Sequence, residues 1–184
     1  MQRYLAITVV VALAMSLTGS AQSSGVAPGR AAVQKTRIGV FDSRMVALAY
    51  YNSPEHRRFM QQFMSDLKQA KAENNQTRVK ELEFQGPALQ NLQHYQVFSS
   101  ASIPNITEKL AAALPNVAQQ AGVSLIVSKW DVAFRGPDVE YVDVTDALVQ
   151  QFHPDERVQK WIAEGRTKDP LPLLQTVMTL RPER

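Results

Sequence analysis

The chain has 184 residues, with 20 Lys and Arg against 17 Asp and Glu, 3 His and no Cys. The length suffices for one domain with a real core, and the balanced, dispersed charge excludes the basic face or stripe that nucleic acid requires. The absence of cysteine excludes disulfides, thiolate metal sites, a thiol nucleophile and a lipid-modified N-terminal cysteine.

Met1-Gln-Arg3 is a short basic start, Leu5 to Leu17 is an apolar run broken by Thr8 and Ser16, and Thr18-Gly-Ser-Ala21 is a small-residue exit. That order predicts a secretory signal peptide over residues 1–21, cut after Ala21. The alternative is an uncleaved membrane anchor, but a spanning helix needs about 20 apolar residues and this run holds 13. Without Arg3 the chain keeps 19 basic residues, a net charge of about +2. Residues 22–34, rich in Ser, Gly and Ala, read as a flexible leader. A single folded domain is expected over 35–165, with a Pro-containing tail over 166–184. The expected location is the periplasm, with no membrane span after cleavage.

Arg37-Ile-Gly-Val-Phe-Asp42 reads as a first strand, and Met45 to Tyr51 as a short helix or extended shoulder. Asn52-Ser53-Pro54-Glu55 is a helix start, because Ser at the cap, Pro next and Glu in the first turn all suit unpaired amides. An insert over 53–122 follows. Phe59, Phe63 and Leu67 recur every four residues beside Met60 and Met64, which makes one apolar stripe. Beyond Ala70 the stripe thins, so this helix either pairs with a second one or projects into water. Asn74-Asn75 is a point where it could bend, and Gly86-Pro87 is expected to end or sharply kink it.

From Phe84 to Thr107 there is no charged side chain. Ala88 to Tyr95 resumes a helical pattern, Ser99 to Ser102 is a loop or cap, and Ile103, Ile106, Leu110, Leu114 and Val117 form another helical stripe. Pro115 predicts a kink or a break in that stripe, and Gly122 a left-handed helix end. Val123 to Val127 is a second strand, which Trp130 to Phe134 extends or turns. Gly136-Pro137-Asp138 is a turn, and Val139 to Val144 a third strand. A helix over Asp146–Phe152, capped by Asp143 or Thr145, and a short helix stopping at Gly165 complete the order. A sheet this small needs helices or other copies of the chain to cover it.

A search for chemistry finds little. His56, His94 and His153 lie on separate elements, none with a partner at metal-site spacing. No Gly-rich loop suits phosphate, and no serine sits in a nucleophile elbow. Asp143, Thr145 and Asp146 read as capping oxygens. Trp130 between Lys129 and Asp131 reads as an edge aromatic, with a site as the alternative. No catalytic, cofactor or metal residue is assigned. The Phe59–Met64 stripe reads as core, although Met-rich helical faces also suit varied partners. The uncharged span is either a packed return limb or an adhesive tip, and Phe84, Leu89, Leu92, Tyr95, Val97 and Phe98 are its candidate client- or partner-contacting residues.

Three segments, in order, resemble the OmpH/Skp family of periplasmic chaperones for outer-membrane proteins. Arg37-Ile-Gly-Val-Phe-Asp-Ser-Arg-Met-Val46, with Asn52-Ser-Pro54 behind it, looks like that family's first strand and helix entry. Val117-Ala-Gln-Gln-Ala-Gly-Val-Ser-Leu-Ile-Val127 is similar to its helix ending in Gly before a second strand. Val142-Asp-Val-Thr-Asp-Ala-Leu148 is like its entry into the last helix. The resemblance implies an α+β fold, with a small β-sheet body and a helical hairpin inserted between the first and second strands. It also implies a trimer whose hairpins enclose an unfolded client. The departures are Gly86-Pro87, the uncharged span, Pro104 and Pro115, where family members carry a long, charged coiled coil. The expected function is ATP-independent holding of unfolded outer-membrane or envelope proteins, without catalysis or cofactor. The alternative is a structural envelope protein that binds one folded partner.

Overall fold

The protein is described by a computed structural model over residues 35–179, so the predicted signal peptide and leader lie outside the described residues. Strand β1 (Thr36–Phe41) is followed by helices α1 (Ser43–Tyr51), α2 (Pro54–Ala72), α3 (Gln76–Phe98), α4 (Pro104–Thr107) and α5 (Leu114–Ala121). Strands β2 (Ile126–Ser128) and β3 (Val139–Asp143) come next, then α6 (Thr145–Val149), a 3-10 turn over Gln150–Phe152, α7 (Glu156–Arg166) and α8 (Leu173–Thr179). The fold is mixed α+β.

The three strands form one parallel sheet in the order β2-β1-β3. Gly39 faces Ile126 on one side and Val142 on the other. Side chains alternate across a strand, so the sheet has two unlike faces. Phe41, Ile126 and Val142 join the main core with Met45, Val46, Ile106, Leu110, Leu148 and Val158. On the opposite face Ile38, Val127, Val139 and Tyr141 are half-buried and belong to neither hydrophobic core. Residues 129–138 carry the chain from β2 back to β3 without a helix. Trp130 to Phe134 therefore does not extend β2, which stops at Ser128.

Helices α2 and α3 pack on each other, and the reversal between them is at Asn74-Asn75. Asn74 takes the left-handed conformation, φ 54°, which Asn tolerates better than most residues. Asn75 N–H bonds back to Ala70 O at 2.9 Å, and the Asn75 side chain caps α3 by accepting from Arg78 N. Lys71 and Glu83 pair across the hairpin at 2.8 Å.

The break expected at Gly86-Pro87 does not occur, and α3 runs through both residues. Gly86 has no Cβ for the proline ring to strike. Pro87 is exposed, so the Glu83 carbonyl that loses its donor lies on the water side. The long stripe after Ser102 is broken, with Pro115 at the start of α5. Gly122 caps α5 in the left-handed region, φ 62°. Gly165 does not stop its helix, since α7 continues to Arg166. A Cβ there would lie 2.7 Å from Met45 Cε, so this glycine serves the close approach of α7 to α1. In the tail, α8 packs against α3, and Leu171 N–H donates to Phe98 O at 2.8 Å.

Candidate functional site

Two places gather polar or exposed apolar groups unusual enough to be weighed as sites. The first is Asp42, at the carboxyl end of the central strand. It is 2% exposed and caps α1 by accepting from Arg44 N. Its two oxygens also accept from Arg44 Nε (3.1 Å) and Nη2 (2.9 Å), Trp130 Nε1 (3.2 Å) and Lys129 Nζ (2.8 Å). The Asp42 N–H donates to Thr145 Oγ1 at 3.0 Å. Burial alone would push this carboxyl up. The hydrogen bonds from Arg44 and Lys129, with their charges, outweigh it and hold the group below its ordinary 3.8.

Five donors on one carboxylate leave no lone pair directed at a substrate, so Asp42 is neither a free base nor an open ligand. Arg44 and Lys129 also lie over the Trp130 ring, 4.9 and 4.3 Å from its centroid. The Lys129-Trp130 pair is thus a fastening of the β2–β3 connection onto β1. Asp131 is outside it. The cap of α6 is Val144, with no side-chain cap bond. Asp143, one residue earlier, accepts from Thr145 N at 2.8 Å, Thr145 Oγ1 serves Asp42 instead, and Asp146 pairs with Arg166 at 2.7 Å. The capping expected of these three is therefore not made from the cap position. Among the described residues no group of three or more His, Asp or Glu could hold a metal.

The second place is the hairpin. Because α2 has few neighbours besides α3, its apolar stripe is not the core it was expected to be. Phe63 and Leu67 are half-buried against the small core of Ala70, Val79 and Leu82, whereas Phe59 and Met64 are exposed, Met64 at 57%. A groove of about 420 Å³ runs between the helices, lined by Phe59, Phe63, Leu82, Phe84, Leu89 and Leu92 and rimmed by Asp66 and Arg78. Phe84 stands 80% exposed at its edge.

Of the six candidate contact residues, Phe84, Leu89 and Leu92 line this groove. Val97 packs against the main core and Tyr95 is half-buried. Phe98 is exposed, but it lies at the root of the hairpin beside Leu48, Trp161 and Leu171. The uncharged span is therefore not a tip. The tip is the charged region around Asn74, and the span runs back to the root, where Gln96 accepts from the Tyr51 hydroxyl and Phe98 O from Leu171 N–H.

Where the hairpin joins α1, a second cavity of about 590 Å³ is lined by Tyr50, Tyr51, His56, Met60, His94 and Lys109. His56 stacks edge-on against Tyr51, with ring centroids 4.8 Å apart. The Tyr51 hydroxyl donates to Gln96 Oε1 at 2.6 Å, and Gln96 Nε2 donates to Asn105 Oδ1 at 2.6 Å. Burial pushes His56 below its ordinary 6.5, Glu55 opposes that, and Lys109 adds to it. Lys109 itself is held up by its bond to Glu55, at 2.7 Å.

Comparison with protein-family models, with curated proteins and with solved structures finds no match. Among the described residues no helix is long and apolar enough to cross a membrane.

Two outcomes follow from this geometry. Asp42→Asn leaves the buried Arg44 guanidinium without its counter-charge, so it should cost about 3 kcal/mol and lower Tm by roughly 10 °C. An unchanged Tm in thermal unfolding would contradict the assignment. For His56 the folded pKa lies below the unfolded one, so its contribution is complete above 6.5 and is lost as pH falls through the folded value. Thermal unfolding at neutral and mildly acidic pH should show that loss, and His56→Gln should reduce it. An identical pH slope in the variant would argue against it.

Proposed function

We propose that this chain is an ATP-independent holdase of the periplasm, acting on unfolded outer-membrane or other envelope proteins. The observation that carries the reading is the hairpin groove, where Phe59, Phe84 and Leu92 stay exposed on an arm that a compact enzyme core would bury. Large apolar side chains grouped on a surface mark interaction sites. The rim residues Asp66 and Arg78 keep such a face soluble. The sequence resemblance to the OmpH/Skp family supports the same reading, with a Skp-like arrangement of hairpin and sheet. The two helices hold 19 and 23 residues, so this arm is about 30 Å long, short for the enclosure the resemblance implies. Homo-oligomerisation, a trimer on the resemblance, would cover the second sheet face, where Ile38, Val127 and Tyr141 lack a core partner.

A second reading is a structural envelope protein with one folded partner. It is favoured by α8, a helix packed against α3 whose Leu173, Leu174 and Met178 stay exposed.

The signal-free protein should suppress aggregation of several unrelated unfolded β-barrel proteins at stoichiometric amounts. Phe84→Ser with Phe59→Ser removes two exposed apolar contacts of the groove worth about 1 kcal/mol or more each, so the amount needed for suppression should rise roughly tenfold or beyond while Tm stays nearly unchanged. Full suppression by the double variant would contradict the hairpin as the holding surface. Capture of a single folded partner, with no effect on unfolded clients, would favour the second reading.

A further inference from the structure

The sheet has a free edge beside a cavity of about 690 Å³. Gly39 N–H bonds Leu125 O at 2.8 Å, and Lys129 N–H bonds Phe41 O at 2.9 Å. In a parallel ladder these bonds set the alternation along the strand. Leu125, Val127 and Lys129 address β1, so the N–H and C=O of Ile126 and the N–H of Ser128 point away from it. β2 pairs with no other strand among the described residues. All five residues from Ser124 to Ser128 line a groove of about 690 Å³, whose far wall is Ile103, Leu114 and Ala118 and whose floor includes Phe41 and Leu148. Asp131 is the sole charged side chain lining it. Ser43, 1% exposed, also borders the groove, with a hydroxyl that has no hydrogen-bond partner.

We propose that this groove binds an extended, uncharged polypeptide segment, which adds to β2 as a fourth strand. A free edge is a template for strand addition unless shortness, charge, proline or a bulge blunts it; β2 spans three residues, but the extended stretch Val123 to Ser128 carries neither charge nor proline. Main-chain bonds to Ile126 and Ser128 supply the affinity and make it tolerant of sequence. The apolar floor selects alternating apolar side chains, and the near-absence of charge disfavours charged ones. The occupant is an unfolded client segment with β-alternation. This site lies on the sheet body, separate from the hairpin groove, and it deepens the holdase reading by naming the conformation of the chain that is held.

The experiment uses the signal-free protein and a short fluorescent peptide of alternating Val and Thr, followed by anisotropy. Two further peptides carry N-methyl groups on one or the other set of alternate amides. One set should weaken binding several-fold, since it loses the peptide N–H that bonds the Ile126 C=O, and the other should leave it nearly unchanged. Ile126→Pro removes the outward N–H together with the side chain's packing on the core, so it is read against Ile126→Ala, which loses the packing alone; the proline should weaken the parent peptide well beyond the alanine. Three results would overturn the proposal: no binding of the parent peptide, equal binding of both methylated sets, or an edge taken by a second copy, seen as a change of sedimentation in Ile126→Pro without peptide binding. Phe84→Ser should leave peptide affinity intact, so failure here and failure of the hairpin reading are distinguishable.

Discussion

The body depends on one buried carboxylate. Asp42 ends the central strand, starts α1, and receives Lys129 and Trp130 from the β2–β3 connection, while its amide reaches Thr145 at the start of α6. Three stretches distant in sequence thus converge on one residue. A three-stranded parallel sheet with a ten-residue, helix-free return has little else to fix that connection, because parallel strands ordinarily rely on helical crossovers on both faces. Here one face carries the helices, and the charged fastening at the carboxyl end of β1 holds the return. Charges buried this way are costly unless every lone pair is used, and at Asp42 the donors are supplied in full.

The same residue sets where the hairpin leaves. With α1 capped by Asp42 and buried along nearly its whole length, Ser53 and Pro54 begin α2 from a fixed platform, and the aromatic contacts of Tyr50, Tyr51 and His56 close the joint. Beyond the joint two helices have only each other. A pair of helices can bury one stripe each, which here is spent on Phe63, Leu67, Val79 and Leu82. The apolar residues flanking that stripe remain in water. The exposed groove is thus a geometric consequence of an arm without a third helix, and it places adaptable apolar surface away from the rigid body.

Much of the body was legible in sequence. Ile38, Val40 and Phe41 announce a strand, Ser53-Pro54-Glu55 a helix start, and Gly122 a helix end, because each rests on local chemistry. The hairpin was misread where tertiary context overrides local rules. Gly86-Pro87 looks like a break, yet the glycine relieves the proline's clash and the solvent side absorbs its lost bond. The reversal is made instead by Asn74, whose left-handed tolerance is a weaker signal. Gly165 looks like a helix stop, but Met45 packs where its Cβ would be. The stripe of Phe59 and Met64 has the period of a core face, and periodicity cannot tell how many partners a helix will find. Asp42 stood in plain view in a strand-to-helix junction, although nothing local says that Lys129 and Trp130, nearly ninety residues on, will complete it. The free edge of β2 is likewise invisible without strand order.

The hairpin groove is the surface proposed to hold an unfolded chain. Amide hydrogen exchange with and without a bound unfolded β-barrel client tests this most directly. Slower exchange is predicted along the groove-lining stretches from Phe59 to Phe63 and from Leu82 to Leu92, with α1 and β1 unchanged. Client binding that leaves both stretches of the hairpin exchanging as they do in the free protein would contradict it.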